Sequence, residues 1–225
     1  MNEFEGLVGL GRLMKTSSAT RGALIQLEGN EAFMVNEPKS ITLHLRFNEK
    51  IGDGTFYAGE VPTVAEVVSR RDNKVLFQWK ERGKVRRLFV PDKEAFRANS
   101  EEALSKYYKE PDIRIPLDFL DDLQKEILVT RLRIKGDEIQ TTQKRSDGTV
   151  MLENLVKLNR GLAESEDYPD SGEVTVFTQD LFVLKGFVRN PLFMKIVEGS
   201  PVSIRGGLTF GAKFRGVISH LVYEV

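Results

Sequence analysis

The sequence contains no cysteine and only two histidines, and both shortages exclude classes of chemistry. Without cysteine there are no disulfides, no thiolate nucleophile and no cysteine metal site. Because His44 and His220 are the only imidazoles, a metal site would rest mainly on carboxylates, and no suitable carboxylate cluster is evident. We therefore expect a protein without a metal ion or other cofactor.

Long apolar runs and net charge are also absent. No run of about 18 apolar residues occurs, which excludes a transmembrane helix. The first residues, Met1-Asn2-Glu3-Phe4-Glu5, lack the basic and apolar regions of a signal peptide. Thirty-three basic residues balance thirty-three acidic ones. These features predict a cytoplasmic protein that makes no membrane contact.

Enzyme signatures are missing as well. The glycines of Gly6-Leu7-Val8-Gly9-Leu10-Gly11 stand in the reverse order of a dinucleotide fingerprint and follow no strand. No glycine-rich loop carries the Gly-Lys-Ser/Thr of a phosphate-binding motif. Asp118, Asp121 and Asp122 could hold metal ions from one helical turn, but a solvated acidic face is the simpler interpretation. We predict that the protein is not an enzyme.

The patterns that are present indicate a β-rich chain of two domains. A length of 225 residues suits two domains of about 100 residues each. Alternating apolar residues predict strands, and turn residues between them predict hairpins. The predicted strand segments are 23–27, 32–35, 40–47, 55–58, 75–80, 85–90, 129–134, 138–143, 149–158, 174–177, 193–197, 202–205 and 213–225.

Apolar spacings of three and four predict four helices, at 4–18, 62–71, 116–127 and 179–188. Each half of the chain then reads helix, hairpin, long strand, strand, helix, hairpin, which indicates a structural repeat of roughly 110 residues. The predicted fold class is α+β, with two repeated domains of antiparallel sheet and two helices in each. The predicted boundaries are 1–90 and 113–225, joined by a connector at 91–112 that is helical around 100–107.

Basic residues are concentrated although the chain is neutral. Eight bases and two acids lie between Arg70 and Arg87, which fits either a nucleic-acid surface or an ordinary charged hairpin. Three of the four predicted helices carry or adjoin bases, whereas the helix at 116–127 is acidic. Phe77 and Trp79 share a strand face and are interpreted as core residues more readily than as a base-stacking platform.

The order of these elements resembles that of the DNA sliding clamps, and it is closest in layout to the phage-type trimeric clamp. The segments Leu10-Gly11-Arg12-Leu13-Met14 and Arg21-Gly22-Ala23-Leu24-Ile25, with the turn at 28–30, are similar to the first helix and hairpin of a clamp. Strands 75–80 and 85–90, followed by a connector, resemble the end of a clamp domain. Residues 211–225 resemble the closing strand of the phage-type clamp.

The resemblance implies three subunits in a closed ring around double-stranded DNA, with helices lining the hole. It implies a processivity factor that tethers DNA polymerase, is placed on DNA by a clamp loader, and works in a prokaryotic or virus-infected cell. The implied phosphate contacts are Arg12, Lys15, Arg21, Arg70, Arg71, Lys185 and Arg189. The implied partner-peptide pocket, near the connector and the C-terminal strand, comprises Val90, Phe96, Tyr223 and Val225.

Two other interpretations of the sequence stay open. One is a β-rich viral structural or assembly protein whose charged patches form subunit interfaces. The other is a single-stranded nucleic-acid-binding protein that stacks bases on Phe77 and Trp79.

Overall fold

The computed structural model describes residues 2–14, 21–71, 74–91, 96–111, 113–145, 147–158 and 171–221. The chain forms two compact units, Met1–Ser105 with Leu208–Phe214, and Lys106–Gly207 with Arg215–Val225. The described residues include fifteen strands, three α-helices and two 3₁₀ turns, so the fold class is α+β with mostly antiparallel pairing. None of the described helices is long and apolar enough to cross a membrane.

Unit 1 contains helix α1 and two antiparallel groups of strands. The strands lie side by side in the orders β4-β1-β2-β3 and β5-β6-β7. A 3₁₀ turn, η1, follows β4, and helix α2 begins in unit 1 after β7. The bounds are α1 Glu3–Leu13, β1 Leu24–Gly29, β2 Glu31–Val35, β3 Ile41–Arg46, β4 Gly52–Tyr57, η1 Ala58–Glu60, β5 Glu66–Arg71, β6 Lys74–Glu81, β7 Lys84–Pro91 and α2 Phe96–Tyr107.

Three buried phenylalanines pack together in the core of unit 1. The Phe56 and Phe77 rings meet edge to face at 4.7 Å between centroids, and Phe4 of α1 lies 6.1 Å from each of them. Helix α1 also packs closely on the turn 208–214, because a Cβ at Gly6 would stand only 2.2 Å from Cγ of Phe210. Glycine in this helix therefore serves close packing, at the cost of intrinsic helix propensity.

Unit 2 contains helix α3 and two further groups of strands, in the orders β11-β10-β9-β12 and β15-β14-β13-β8. Its strands alternate between core and solvent, as a half-buried sheet requires: in β9, Leu132 and Ile134 are buried while Arg131 and Arg133 are exposed. The bounds are β8 Ile113–Ile115, η2 Leu117–Leu120, β9 Val129–Lys135, β10 Glu138–Lys144, β11 Val150–Lys157, β12 Ser171–Phe177, α3 Thr178–Lys185, β13 Val188–Lys195, β14 Val202–Leu208 and β15 Lys213–Ile218.

Two predicted helices are confirmed in shortened form. The helix predicted at 4–18 is α1, and residues 15–20 lie outside the described residues. The helix predicted at 179–188 is α3, which ends at Lys185 because Gly186 caps it and β13 starts two residues later. The helical part predicted for the connector, around 100–107, coincides with the end of α2.

The helix predicted at 62–71 is wrong. The chain instead makes a turn, in which the Ala65 amide donates to the Pro62 carbonyl at 3.0 Å, and then forms strand β5. Branched side chains favour a strand here, and one of them, Val67, lies against Gly52 of β4. A Cβ at Gly52 would come within 2.8 Å of the Val67 Cβ, so the close crossing of these strands requires glycine.

The helix predicted at 116–127 is also wrong, because only the four-residue turn η2 is helical. Leu117, Leu120 and Leu123 recur every three residues, which is the period of a 3₁₀ helix rather than an α-helix. The next segment is held by the buried side chain of Gln143. Its Oε1 accepts from the Gln124 amide at 2.8 Å, and its Nε2 donates to the Gln124 carbonyl at 3.1 Å. Because the amide and the carbonyl of Gln124 both bond to Gln143, neither makes the backbone hydrogen bond that an α-helix would need. The prediction of two α-helices in each half is therefore wrong.

Most predicted strands are confirmed within one to three residues of each end. The strand predicted at 193–197 is wrong in position, since β13 covers Val188–Lys195. The one predicted at 213–225 ends at Ile218, and residues 222–225 are not among those described.

Candidate functional site

Unit 1 joins its helix to its 3₁₀ turn through one arginine. An Asn2–Glu5 capping box starts α1, and Arg12 occupies its last turn. The half-buried Arg12 side chain donates from Nε to the Ala58 carbonyl at 3.2 Å and from Nη2 to the Val61 carbonyl at 2.6 Å. Ala58 is the first residue of η1 and Val61 is its C-cap, so Arg12 links α1 to both ends of this turn.

Unit 2 repeats this arrangement with a lysine. Lys185 occupies the last turn of α3, and its Nζ donates to the backbone carbonyl of Asp121 at 3.3 Å and pairs with the Asp121 carboxylate at 3.3 Å. Asp121 is the C-cap residue of η2, as Val61 is of η1. The two halves therefore share one structural device, a basic residue that ties the helix to the end of a 3₁₀ turn.

The acidic residues around η2 take part in similar contacts. Asp122 accepts from the Asn154 side-chain amide at 2.8 Å, so it bridges to β11. Together with the Lys185–Asp121 pair, this contact ties the acidic segment after η2 to both α3 and β11. Among the described residues no group of three His, Asp or Glu side chains is placed to hold a metal ion.

A cluster on unit 2, which the sequence did not reveal, surrounds Arg205 of β14. Arg205 Nε lies 2.7 Å from the Glu110 carboxylate and donates to the Pro111 carbonyl at 3.1 Å. Its guanidinium carbon stands 4.1 Å from the centroid of the Phe193 ring, in a cation–π contact. We name the segment Tyr108–Pro111, which these contacts hold, the strap.

Tyr108 in the strap extends the same cluster. Its hydroxyl donates to Glu110 at 3.1 Å, and the guanidinium of Arg215 lies 5.8 Å from its ring centroid. Burial, and then the charge and hydrogen bond of Glu110, raise the pKa of Tyr108 to about 12 against the opposing effect of the two arginines. The raised pKa extends the pH range over which the hydroxyl stays protonated and donates to Glu110.

The sequence matches no family model and no curated protein, but solved structures match the fold over almost its whole length. Proliferating Cellular Nuclear Antigen (PCNA) from Entamoeba histolytica superposes with a TM-score of 0.60 at 12% identity, covering 97% of this chain and 95% of that one. A chain of the PCNA2-PCNA3 complex from Sulfolobus tokodaii gives a TM-score of 0.59 at 11% identity, covering 98% and 97%. The chain has the fold of a DNA sliding clamp.

Within this clamp fold, the bases predicted to contact phosphate have different environments. Arg12 and Lys185 are engaged with the 3₁₀ turns, as described above. Arg21 is exposed, with its guanidinium carbon 5.5 Å from the centroid of the Tyr57 ring, and Arg189 is exposed on β13. The backbones of Arg70 and Arg71 pair with β6 in a strand rather than ending a helix, and their side chains are not described. Lys15 lies outside the described residues.

The residues predicted for the partner-peptide pocket are not brought together by described contacts. Val90 is only 4% exposed and faces the core of unit 1, opposite Val75. Phe96 begins α2, and its side chain is not described. Tyr223 and Val225 lie outside the described residues. The proposed pocket thus keeps its place near the connector only as a prediction, and Val90 is a core residue.

Phe77 does not take part in the base-stacking platform that was considered as the alternative for a single-strand binder. Phe77 is fully buried between Phe4 and Phe56, so its ring cannot meet a nucleobase. Trp79 is half-buried on the same strand. The interpretation of Phe77 as a core residue is confirmed.

Proposed function

We propose that this protein is a sliding clamp that encircles double-stranded DNA and tethers a DNA polymerase, without catalytic activity of its own. The observation that carries the proposal is the clamp fold, which extends over 97% of the chain. A closed ring holds DNA by topology, and sequence-independent attraction to phosphates leaves it able to slide. The partners are duplex DNA, the polymerase and a clamp loader.

Two sheet edges that are unpaired among the described strands support assembly into a ring. Strand β7 ends the β5-β6-β7 group and β11 ends the β11-β10-β9-β12 group, and both are eight residues long. Unpaired edges are templates for another chain. Both expose apolar side chains that are 50–53% accessible, namely Val85 and Phe89 on β7 and Val150 and Leu155 on β11. Pairing of two different edges produces a ring when the rotation closes, which three copies would complete.

Charge specifies a register for this pairing. In an antiparallel arrangement that places Val85 opposite Leu155, Arg87 stands opposite Glu153. Opposite charges on directly opposed residues stabilise a strand pair, and apolar pairs do so as well. We therefore propose that β7 of one copy pairs with β11 of the next in this register.

The assembly is tested by light scattering on edge variants. The unmodified chain of 25.5 kDa is expected to give three times its mass. Phe89→Asp and Leu155→Asp should each yield monomers with unchanged far-UV circular dichroism. Val64→Asp, at an apolar residue exposed to 56% outside either edge, should leave the trimer intact. Trimers of both edge variants would refute the interface.

Function is tested by retention on DNA. After loading, the ring should persist on circular DNA and slide off linear DNA of the same length. Equal loss from both at the same salt concentration would indicate ordinary surface binding and refute the clamp.

The exposed bases predicted to attract phosphate are tested with a matched control. The double variant R21Q/R189Q should lower the salt dependence of DNA binding by about one unit of slope for each phosphate that is no longer neutralised. The control K80Q/R82Q removes two exposed bases from the β6–β7 hairpin and should change the slope little, because charges beyond a Debye length are screened. A larger effect in the control would place DNA on the hairpin instead.

A further inference from the structure

Arg205 has unused hydrogen-bonding capacity at the surface of unit 2. Its contacts with Glu110 and Pro111 both use Nε, and its guanidinium carbon lies 4.1 Å from the centroid of the Phe193 ring. The two terminal nitrogens make no hydrogen bond with any described residue. A guanidinium presents these nitrogens as a rigid fork that matches a carboxylate. An incoming carboxylate that takes the place of Glu110 would therefore find on Arg205 a bidentate site that Glu110 does not use.

Further positive charge lies around this fork. Arg114 of β8 stands directly opposite Phe193 of β13, so the two share a face of the sheet. Lys109 of the strap is exposed, and neither it nor Arg114 has a side-chain partner among the described residues. Lys109, Arg114 and Arg205 are thus the bases of this part of unit 2, and Glu110 is the acid that contacts Arg205.

The composition of this face favours a protein ligand over a nucleic acid. Arginine and aromatic side chains are enriched at the energetic centres of protein interfaces, and here Arg205 is combined with Phe193 and Tyr108. Arg205 already pairs with a side-chain carboxylate, that of Glu110 in the strap. A partner segment with acidic side chains beside an apolar one would make the same contact and would also meet Lys109 and Arg114.

We propose that this face of unit 2 binds an acidic peptide segment of a partner protein, and that Glu110 competes with the partner for Arg205. The proposal rests on the proposed function, in which the clamp recruits other proteins. The strap then acts as a built-in competitor that lowers the affinity for carboxylates. Removing the charge of Glu110 should strengthen binding, whereas removing the fork of Arg205 should weaken it.

The probe is a fluorescein-labelled peptide, Asp-Glu-Asp-Leu-Phe-Glu-Asp-Glu, titrated against the assembled protein by fluorescence anisotropy. Its counterpart with Asn and Gln in place of the acids measures binding without charge. We expect R205Q to weaken binding of the acidic peptide about tenfold or more, the usual scale for a bidentate charged contact. R205K, which keeps the charge without the fork, should be intermediate. E110Q should bind about two- to fivefold more tightly, since it releases one exposed ion pair.

The matched control is the Arg133–Glu173 pair of the same unit, an exposed arginine and carboxylate 3.8 Å apart. R133Q and E173Q should each change affinity less than twofold. Amide exchange of Lys109, whose backbone N–H donates to Ser203 Oγ at 2.9 Å, reports whether the strap stays in place in each variant.

Three results would overturn the proposal. The first is equal binding of the acidic and amide peptides, and the second is equal weakening in R133Q and R205Q, which would indicate diffuse electrostatics. The third is displacement of the peptide by a short DNA duplex whose own binding is abolished in R205Q, which would assign the face to nucleic acid. Trimer formation and retention on circular DNA do not depend on Arg205, so failure of the clamp proposal would be seen separately.

Discussion

Replacing Arg12 with methionine removes both hydrogen bonds that tie α1 to Ala58 and Val61, at the two ends of η1, while it preserves most of the side-chain volume. A hydrogen bond to a charged group contributes about 1.5–3 kcal/mol. Because Arg12 is only half-buried, water can replace part of this contribution. We therefore expect R12M to lower the free energy of unfolding by about 2 kcal/mol. For a chain of this length, that corresponds to a fall in melting temperature of about 4–8 °C.

R12K separates the structural role of Arg12 from its charge. A lysine keeps the positive charge but can satisfy only one of the two carbonyls, so we expect a loss of about 1 kcal/mol. Its retention on circular DNA should equal that of the unmodified protein. Urea unfolding and the DNA assay are both performed on the same preparations.

The control for Arg12 is R46M. Arg46 ends β3, is exposed and has no side-chain partner among the described residues, so its replacement should change stability by less than about 0.5 kcal/mol. If R12M and R46M unfold within about 0.5 kcal/mol of each other, the hydrogen bonds to Ala58 and Val61 do not hold the turn and the reasoning is wrong.

Three other predictions follow from single residues. Q143L should cost about 2–4 kcal/mol in urea unfolding, because it leaves the backbone amide and carbonyl of Gln124 without their buried partners; a neutral effect would show that water replaces them. G6A should lower the melting temperature although alanine favours helix by about 1 kcal/mol, because its Cβ would overlap Phe210; a stabilised variant would contradict the close packing. The pKa of Tyr108 is raised from 10.0 to about 12, because the folded state favours its protonated form. The stabilisation that Tyr108 adds to the free energy of unfolding is therefore fully present below pH 10 and is lost as the pH rises to 12. Y108F should flatten the fall in stability over that interval in urea unfolding, and an unchanged slope would exclude Tyr108 as its cause.

Local patterns were sufficient for the hairpins. The β1–β2 and β9–β10 pairs follow from alternating side chains on either side of turns that contain a glycine with positive φ, 62° at Gly29 and 60° at Gly136. Both causes act within a few residues of each other, so they can be read from adjacent positions in the sequence.

Long-range packing overrode local preference at both incorrect helices. The residues around Pro62 carry a helix-like start, but Val67 packs against Gly52 of a different strand. The leucines after Pro116 carry a helix-like spacing, but Gln143, from β10, takes the backbone bonds of Gln124. In both cases the deciding partner is about 15–20 residues away, and nothing in the local pattern identifies it.

The sequence by itself determined the α+β class, most of the strands and the presence of Arg12 and Lys185 within predicted helices, because alternation, turn chemistry and charge placement are local properties. Only the tertiary structure decided what those bases contact, since the η1 and η2 carbonyls approach them from 46 and 64 residues away. The same holds for Arg205, which meets Pro111 across 94 residues. A side chain's partner depends on which strands and turns the folded core brings beside it, and that information is distributed over the whole chain.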